Sequence, residues 1–264
     1  MDEPNQKPSP ETPDEESASQ TTKRVGYSRT QTVLVDETVL VENRLVAHKD
    51  NQYGNSFRIL RSQLVAKMRK NNYKSIAIVG ALPEVGKTMV AANLALSISS
   101  DKRHTSILLD IDLRRPRIAD YFGLKVTKGI PEVLTGNEDF EDILQSPFDG
   151  MVVAPSIAYE NVGELFSSPK LPSLLKEVSS RYEDRICVID LPPLLGVADA
   201  LEVVPHVDCV LMVLENGKTT KTEIAEMKRL LQDATIVGAV VNKSTDDLDH
   251  SKTYYRYYSD RDRS

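Results

Sequence analysis

Gly86, Lys87 and Thr88 follow the apolar run SIAIVGA and open the helical stretch TMVAANLALSISS. In that setting a Gly-Lys-Thr triplet is a phosphate grip. Loop N–H groups and the positive helix end hold phosphate oxygens, the lysine reaches the β- and γ-phosphates, and the threonine hydroxyl takes one position on Mg²⁺. Pro83, Glu84, Val85, Gly86, Lys87, Thr88 and Met89 are therefore the expected binding loop for a nucleoside triphosphate. The usual spacing wants glycine at position 81; this chain has Ala81, with Gly80 one place early, so the loop must close by a different turn. Three carboxylates end other apolar runs, Asp110 and Asp112 after ILL and Asp190 after CVI. Mg²⁺ takes oxygen ligands and keeps several waters, so one acid can hold the cation while another steers or accepts the proton of an attacking hydroxyl. Lys87, Asp110, Asp112 and Asp190 form the expected catalytic set, and Thr88, Asp112 and Asp190 the expected metal set.

These residues need elements that bring them to one place. Six short apolar runs (SIAIVGA, TSILLDID, MVVAP, RICVID, DCVLMVL, TIVGAVV) alternate with longer helical stretches. Continuous apolar runs read as strands buried on both faces, and parallel strands need crossover helices. The expected fold is an α/β, doubly wound, mostly parallel sheet with helices on both faces, binding ligands at the carboxyl ends of its strands. Ahead of the first strand, NSFRILRSQLVAKMRKN reads as a helix with Phe57, Leu60, Leu64 and Met68 on one face and Arg58 and Arg61 on another. Residues 1–24 are rich in Pro, Ser, Glu and Asp and read as a disordered tail; 25–50 read as an extended lead-in, 51–245 as the domain, and 246–264 as a flexible tyrosine-rich tail.

Composition removes some functions. The net charge of −6 excludes a protein whose main task is to coat nucleic acid, so no nucleic-acid partner is expected. Cys187 and Cys209 lie in apolar runs, as buried small hydrophobes rather than a disulfide or metal pair, which fits a reducing cytoplasm. No signal-peptide layout opens the chain, and no apolar run reaches the ~18 residues of a membrane span, so work at a membrane requires recruitment by a partner. Tyr254, Tyr255, Tyr257 and Tyr258 crowd the C-terminus, where a core cannot bury them.

With these residues assembled, the chain resembles the bacterial tyrosine kinases, the autokinases of exopolysaccharide and capsule export, and most of all their soluble form in Gram-negative exopolysaccharide clusters. GALPEVGKT is similar to the family's phosphate loop, LLDIDLRRPR to its second acidic motif, VIDLPPLLGVADA to its Walker B segment, and NVGELFSSPKLPSLL to its Asn-x-x-Glu-Leu stretch. VVNKS puts Asn242 at the place near the adenine. The resemblance implies an ATP- and Mg²⁺-dependent autokinase whose substrate is the tail cluster Tyr254, Tyr255, Tyr257 and Tyr258 of another copy. It further implies a cytoplasmic protein recruited to the inner membrane by a chain-length regulator whose cytosolic segment activates it. Family members form rings through Glu-x-x-Arg-x-x-Arg; here Arg58 and Arg61 fit and Asn55 replaces the glutamate. Leu82 stands where partition and cell-division ATPases carry a further lysine. The residues alone leave open a P-loop ATPase switch that never phosphorylates protein, or a nucleotide-binding regulatory subunit.

Overall fold

The computed structural model describes residues 30–244. Its eight strands form one sheet: β1 (Gln31–Thr32), β2 (Ser75–Gly80), β3 (Thr105–Asp110), β4 (Gln145–Phe148), β5 (Met151–Ala154), β6 (Arg185–Asp190), β7 (Cys209–Glu215) and β8 (Ile236–Asn242). The order is β1-β4-β5-β3-β6-β2-β7-β8. From β5 to β8 every pairing is parallel; β4 runs antiparallel to β5, and β1 pairs parallel with β4. All six residues of β2 and of β6 are buried, as strands covered on both faces require. The expected doubly wound α/β fold is what the chain adopts.

Nine α-helices flank the sheet among the described residues. On one face lie α1 (Glu37–Glu42), α2 (Gln52–Lys70), α3 (Lys87–Ser99) and α4 (Ile118–Phe122), which share an apolar core with Ile76, Ile78, Val188 and Leu211. On the other lie α5 (Ile130–Thr135), α6 (Val162–Phe166), α7 (Lys170–Ser180), α8 (Asp199–Val203) and α9 (Lys221–Leu230), which close over Ala77, Val79, Ile189 and Met212. Side chains alternate across a strand, so neighbouring residues of β2 serve opposite cores. Helix α2 starts where the Asn51 side chain accepts the Gly54 N–H (2.8 Å), and it buries Leu64 and Met68 while Phe57 and Leu60 pack partly against the same core.

The lead-in departs from expectation. It is not extended throughout, because Asp36 accepts the Thr38 N–H (2.8 Å) and caps the short α1, which inserts Leu40 into the core. Its following loop is fixed by Asn93 of α3, fully buried, whose Oδ1 accepts the Val46 and Ala47 N–H groups (2.8 and 3.0 Å) and whose Nδ2 donates to the Arg44 carbonyl (3.0 Å). The strand β4 was not among the six apolar runs. It turns into β5 through Asp149–Gly150, with Gly150 at φ 73°, the left-handed backbone that tight hairpins use. The expected disordered tail 1–24 and tyrosine-rich tail 246–264 lie outside the described residues.

Candidate active site

Parallel strands end at one edge, and that edge gathers the candidate residues. Strand β2 stops at Gly80, the chain turns through residues 81–86, and α3 begins at Lys87 with Gly86 as its cap at φ 96°. No side chain caps α3, so its leading N–H groups are left for an anion. The Gly86 carbonyl accepts the Val90 N–H (3.0 Å), the first bond of the helix. The departure at Ala81 has a packing reason. A Cβ on Gly80 would stand 2.6 Å from Val85 Cγ2 and 3.1 Å from Lys87 Cγ, so the glycine is needed at the end of the strand, where loop and lysine fold back on it. Ala81 is itself buried, and its carbonyl accepts the Leu195 N–H (3.0 Å), while the Gly80 carbonyl accepts the Leu194 N–H (2.9 Å). The segment after β6 is thereby stitched to the start of the phosphate loop.

Lys87 is 6% exposed, and its Nζ reaches the Leu82 carbonyl at 3.5 Å. Burial lowers its pKa, and the charges of Asp190 and Asp112 pull it back up. Asp110 and Asp190 are register partners on adjacent strands, 0% and 1% exposed. Asp110 Oδ2 accepts the Arg117 and Ile118 N–H groups (3.0 and 2.9 Å), whereas Oδ1 of Asp110 and Oδ1 of Asp190 lack any protein donor. Burial, then the neighbouring Asp190, pushes the Asp110 pKa well above the carboxylate range. Burial likewise lifts Asp190 to about 7, against the pull of the Thr88 hydroxyl and the Lys87 ammonium. Asp112, two residues beyond β3, is only partly buried; its Oδ1 accepts the Arg115 N–H (3.1 Å), and desolvation raises its pKa while Lys87 lowers it. Lys87, Thr88, Asp110, Asp112 and Asp190 are thus brought together.

No protein-family model matches the chain. The tyrosine-protein kinase YwqD of Bacillus subtilis is 30% identical over 210 residues, 78% of this chain and 86% of that protein. The chain belongs to the bacterial tyrosine-kinase family. The putative tyrosine-protein kinase EpsB of Ralstonia nicotianae is 29% identical over 241 residues, 86% of this chain but 31% of the relative, so the chain spans about a third of that protein's length. Among solved structures, the kinase domain of the Escherichia coli tyrosine kinase ETK matches with a TM-score of 0.68 at 26% identity, covering 82% of this chain and 91% of that one.

In this member of the bacterial tyrosine-kinase family, Asn242 at the end of β8 rests on the phosphate loop. Its Nδ2 donates to the Val85 carbonyl (2.9 Å), and a Cβ on Gly86 would meet that Nδ2 at 2.0 Å. Pro83 and Glu84 form the exposed crest of the loop, Glu84 at φ 62°, and Met89 packs partly under it against the α3 face of the core. Arg58 and Arg61 are not at this site. Arg58 pairs with Asp50 (2.8 Å) and the Lys49 carbonyl (3.2 Å), and Arg61 donates to the Ser97 carbonyl (2.9 Å) near the far end of α3. Tyr254, Tyr255, Tyr257 and Tyr258 lie outside the described residues.

Three side chains at this edge escaped the sequence reading. Lys243 donates to the Glu84 carbonyl (2.7 Å) and pairs with the buried Glu215 (3.2 Å), which also binds Lys218 (2.7 Å). Asp199, the first residue of α8, binds Arg114 through both carboxylate oxygens (2.5 and 3.2 Å). Lys243 abuts Asn242 in VVNKS and Asp199 lies in the quoted segment VIDLPPLLGVADA, which were usable signals; Glu215 had none beyond its place at the end of β7.

Proposed function

We propose that the chain is an ATP- and Mg²⁺-dependent protein-tyrosine autokinase, transferring the γ-phosphoryl group of ATP to Tyr254, Tyr255, Tyr257 or Tyr258 of a second copy. The observation that carries this reading is the convergence of Lys87, the uncapped start of α3 and three aspartates at one sheet edge. The residues fit Mg²⁺: Asp190 Oδ1 is a buried oxygen without a donor, and Thr88 lies beside that carboxylate. Among the described residues no three His, Cys, Asp or Glu side chains cluster as a metal cage, which suits an ion held by one or two carboxylates, a hydroxyl, waters and substrate phosphates. Bound there, the cation would neutralise charge on the triphosphate.

The chain's own groups supply the rest. Lys87 and the leading N–H groups of α3 hold the phosphates and stabilise charge as the bond between the γ-phosphorus and ADP breaks. The phenol oxygen forms the new bond to phosphorus, and its proton passes to a carboxylate. Asp110 is closed off and already accepts two N–H bonds, whereas Asp112 is partly exposed, so Asp112 is assigned the proton. Thr88 and Asp190 are assigned to the cation, Asp110 to support of Asp190, and Pro83 to Met89 with Asn242 to the nucleotide. Assembly through Arg58 and Arg61, action on polysaccharide polymerisation and export, and recruitment to the inner membrane by a chain-length regulator rest on the family resemblance. Among the described residues no helix is long and apolar enough to cross a membrane, which is compatible with such recruitment.

Incubating the full chain with ATP and Mg²⁺ and probing for phosphotyrosine tests this. Signal is expected from the unmodified chain, and none from Lys87→Met or from the chain with all four tail tyrosines changed to phenylalanine. Phosphotyrosine persisting in Lys87→Met overturns the mechanism, and ATP hydrolysis without any phosphotyrosine makes the chain an ATPase switch.

A further inference from the structure

The loop that carries Asp112 also carries a cation two residues on. Arg114 is 46% exposed at its side chain, long enough to fold back on the nearest anion, and the nearest in sequence is Asp112. Instead its Nε and Nη2 bind the two oxygens of Asp199, a carboxylate 8% exposed that arrives from the other acid-bearing loop, beyond Asp190. A bidentate guanidinium–carboxylate fork fixes direction as well as distance. Both partners still act on Asp112: the charges of Arg114 and Asp112 attract, those of Asp199 and Asp112 repel, and Lys87 also attracts Asp112. The carboxylate thus feels two cations, of which Arg114 is held by another acid, Asp199.

We infer that Asp199 is a positioning residue: by engaging both arms of Arg114 it keeps that guanidinium off Asp112 and leaves the Asp112 carboxylate open to the incoming hydroxyl. This rests on the reading of Asp112 as proton acceptor. Its distinctive consequence is one of sign. Without Asp199, Arg114 collapses onto Asp112 and covers its oxygens; without both, Asp112 is open again. A brace that merely joined the two loops would behave otherwise, since removing both of its halves is no better than removing one.

The test uses the full chain, with phosphotyrosine formation and phosphate release to water measured side by side. Asp199→Asn lowers kcat at least about tenfold with the KM for ATP nearly unchanged, the pattern of a lost transition-state contact. Asp199→Glu, which keeps the fork, retains most of kcat. The double variant Arg114→Gln with Asp199→Asn recovers most of what Asp199→Asn loses. Circular dichroism and the melting midpoint accompany each variant, and recovery of kcat in the double variant is itself proof against a folding defect. Unchanged kcat in Asp199→Asn, or a double variant no faster than Asp199→Asn, overturns the inference. An unmodified chain that releases phosphate but forms no phosphotyrosine defeats the autokinase reading while the same comparison is read on hydrolysis. A chain that does neither defeats both.

Discussion

Replacing Asp110 by asparagine probes the strain at the sheet edge without changing shape. In the folded chain Asp110 and Asp190 face each other across β3 and β6, fully enclosed, each with one oxygen that no protein donor reaches. Burial raises both pKa values, Asp190 to about 7. In the unfolded chain both acids ionise in the ordinary range near pH 4. Between those limits the folded state retains a proton that the unfolded state releases, so ∂ΔG/∂pH is negative and stability falls as pH rises. A retained proton is worth about 1.4 kcal/mol per pH unit, roughly 3 kcal/mol for a group held protonated over about two pH units; Asp190 keeps its own shift in both proteins, so the difference between them reports Asp110. For a domain of this size that is roughly 6–12 °C in melting midpoint. In Asp110→Asn the amide oxygen can accept the Arg117 and Ile118 N–H groups while the amide nitrogen puts a donor where the unpartnered oxygen stood. The variant should match the unmodified chain at about pH 5 and exceed it by several degrees at about pH 8, a widening gap set by the proton linkage. Thermal melts of nucleotide-free protein in a chelator, across that range, measure this. Parallel pH curves for the two proteins, or an unmodified chain whose stability climbs with pH, would refute the reasoning.

Three further outcomes follow from the same edge and its supports. Gly86→Ala forces a Cβ into the left-handed region, at φ 96°, and 2.0 Å from Asn242 Nδ2; such strain costs about 1–3 kcal/mol, so nucleotide affinity by calorimetry should fall about tenfold or more. Asn242→Ala should not restore it, because the backbone strain remains. Asn93→Ala leaves the buried Val46 and Ala47 N–H groups without an acceptor; an expected loss of about 2–4 kcal/mol would appear as a lower urea midpoint. Lys243→Met frees the Glu84 carbonyl and strips the buried Glu215 of one cationic partner; nucleotide affinity should drop a few-fold, with the melting midpoint changing little because Lys218 remains.

Where the sequence was legible, one local pattern sufficed. The runs that became β2, β3, β5, β6 and β7 are apolar because both faces of those strands are covered, and that cause acts residue by residue; β8, at the sheet edge, reads as apolar too although Ile236, Ala239 and Val241 are exposed. β4 was hidden because QSPF carries two polar residues and a proline, and only its hairpin turn at Asp149–Gly150 marked it. α1 was hidden because its six residues present one buried side chain, Leu40, too few to show a period; the cap at Asp36 was the available signal. The pairings Asp199–Arg114 and Glu215–Lys243 were invisible for another reason. Arg114 and Lys243 come from elsewhere in the chain, and long-range ion pairs leave no trace in spacing.

The misplaced glycine joins these two kinds of information. Spacing alone marked Ala81 as a departure, as though the loop had lost a residue that it needs. In three dimensions the requirement has moved by one position, because it is Gly80 against which Val85 and Lys87 close, and a methyl group at 81 is accommodated in the core. The same folding-back buries Lys87 beneath the loop; burial lowers its pKa, and the charges of Asp190 and Asp112 oppose that lowering. The lysine proposed to grip phosphate thus shares one electrostatic environment with the acids proposed to hold the metal and take the proton. Grip and chemistry are electrostatically coupled, and a neutral substitution at Asp190 removes an anion from beside the phosphate site, so metal-free phosphate binding above about pH 7 should tighten, as calorimetry in a chelator would read.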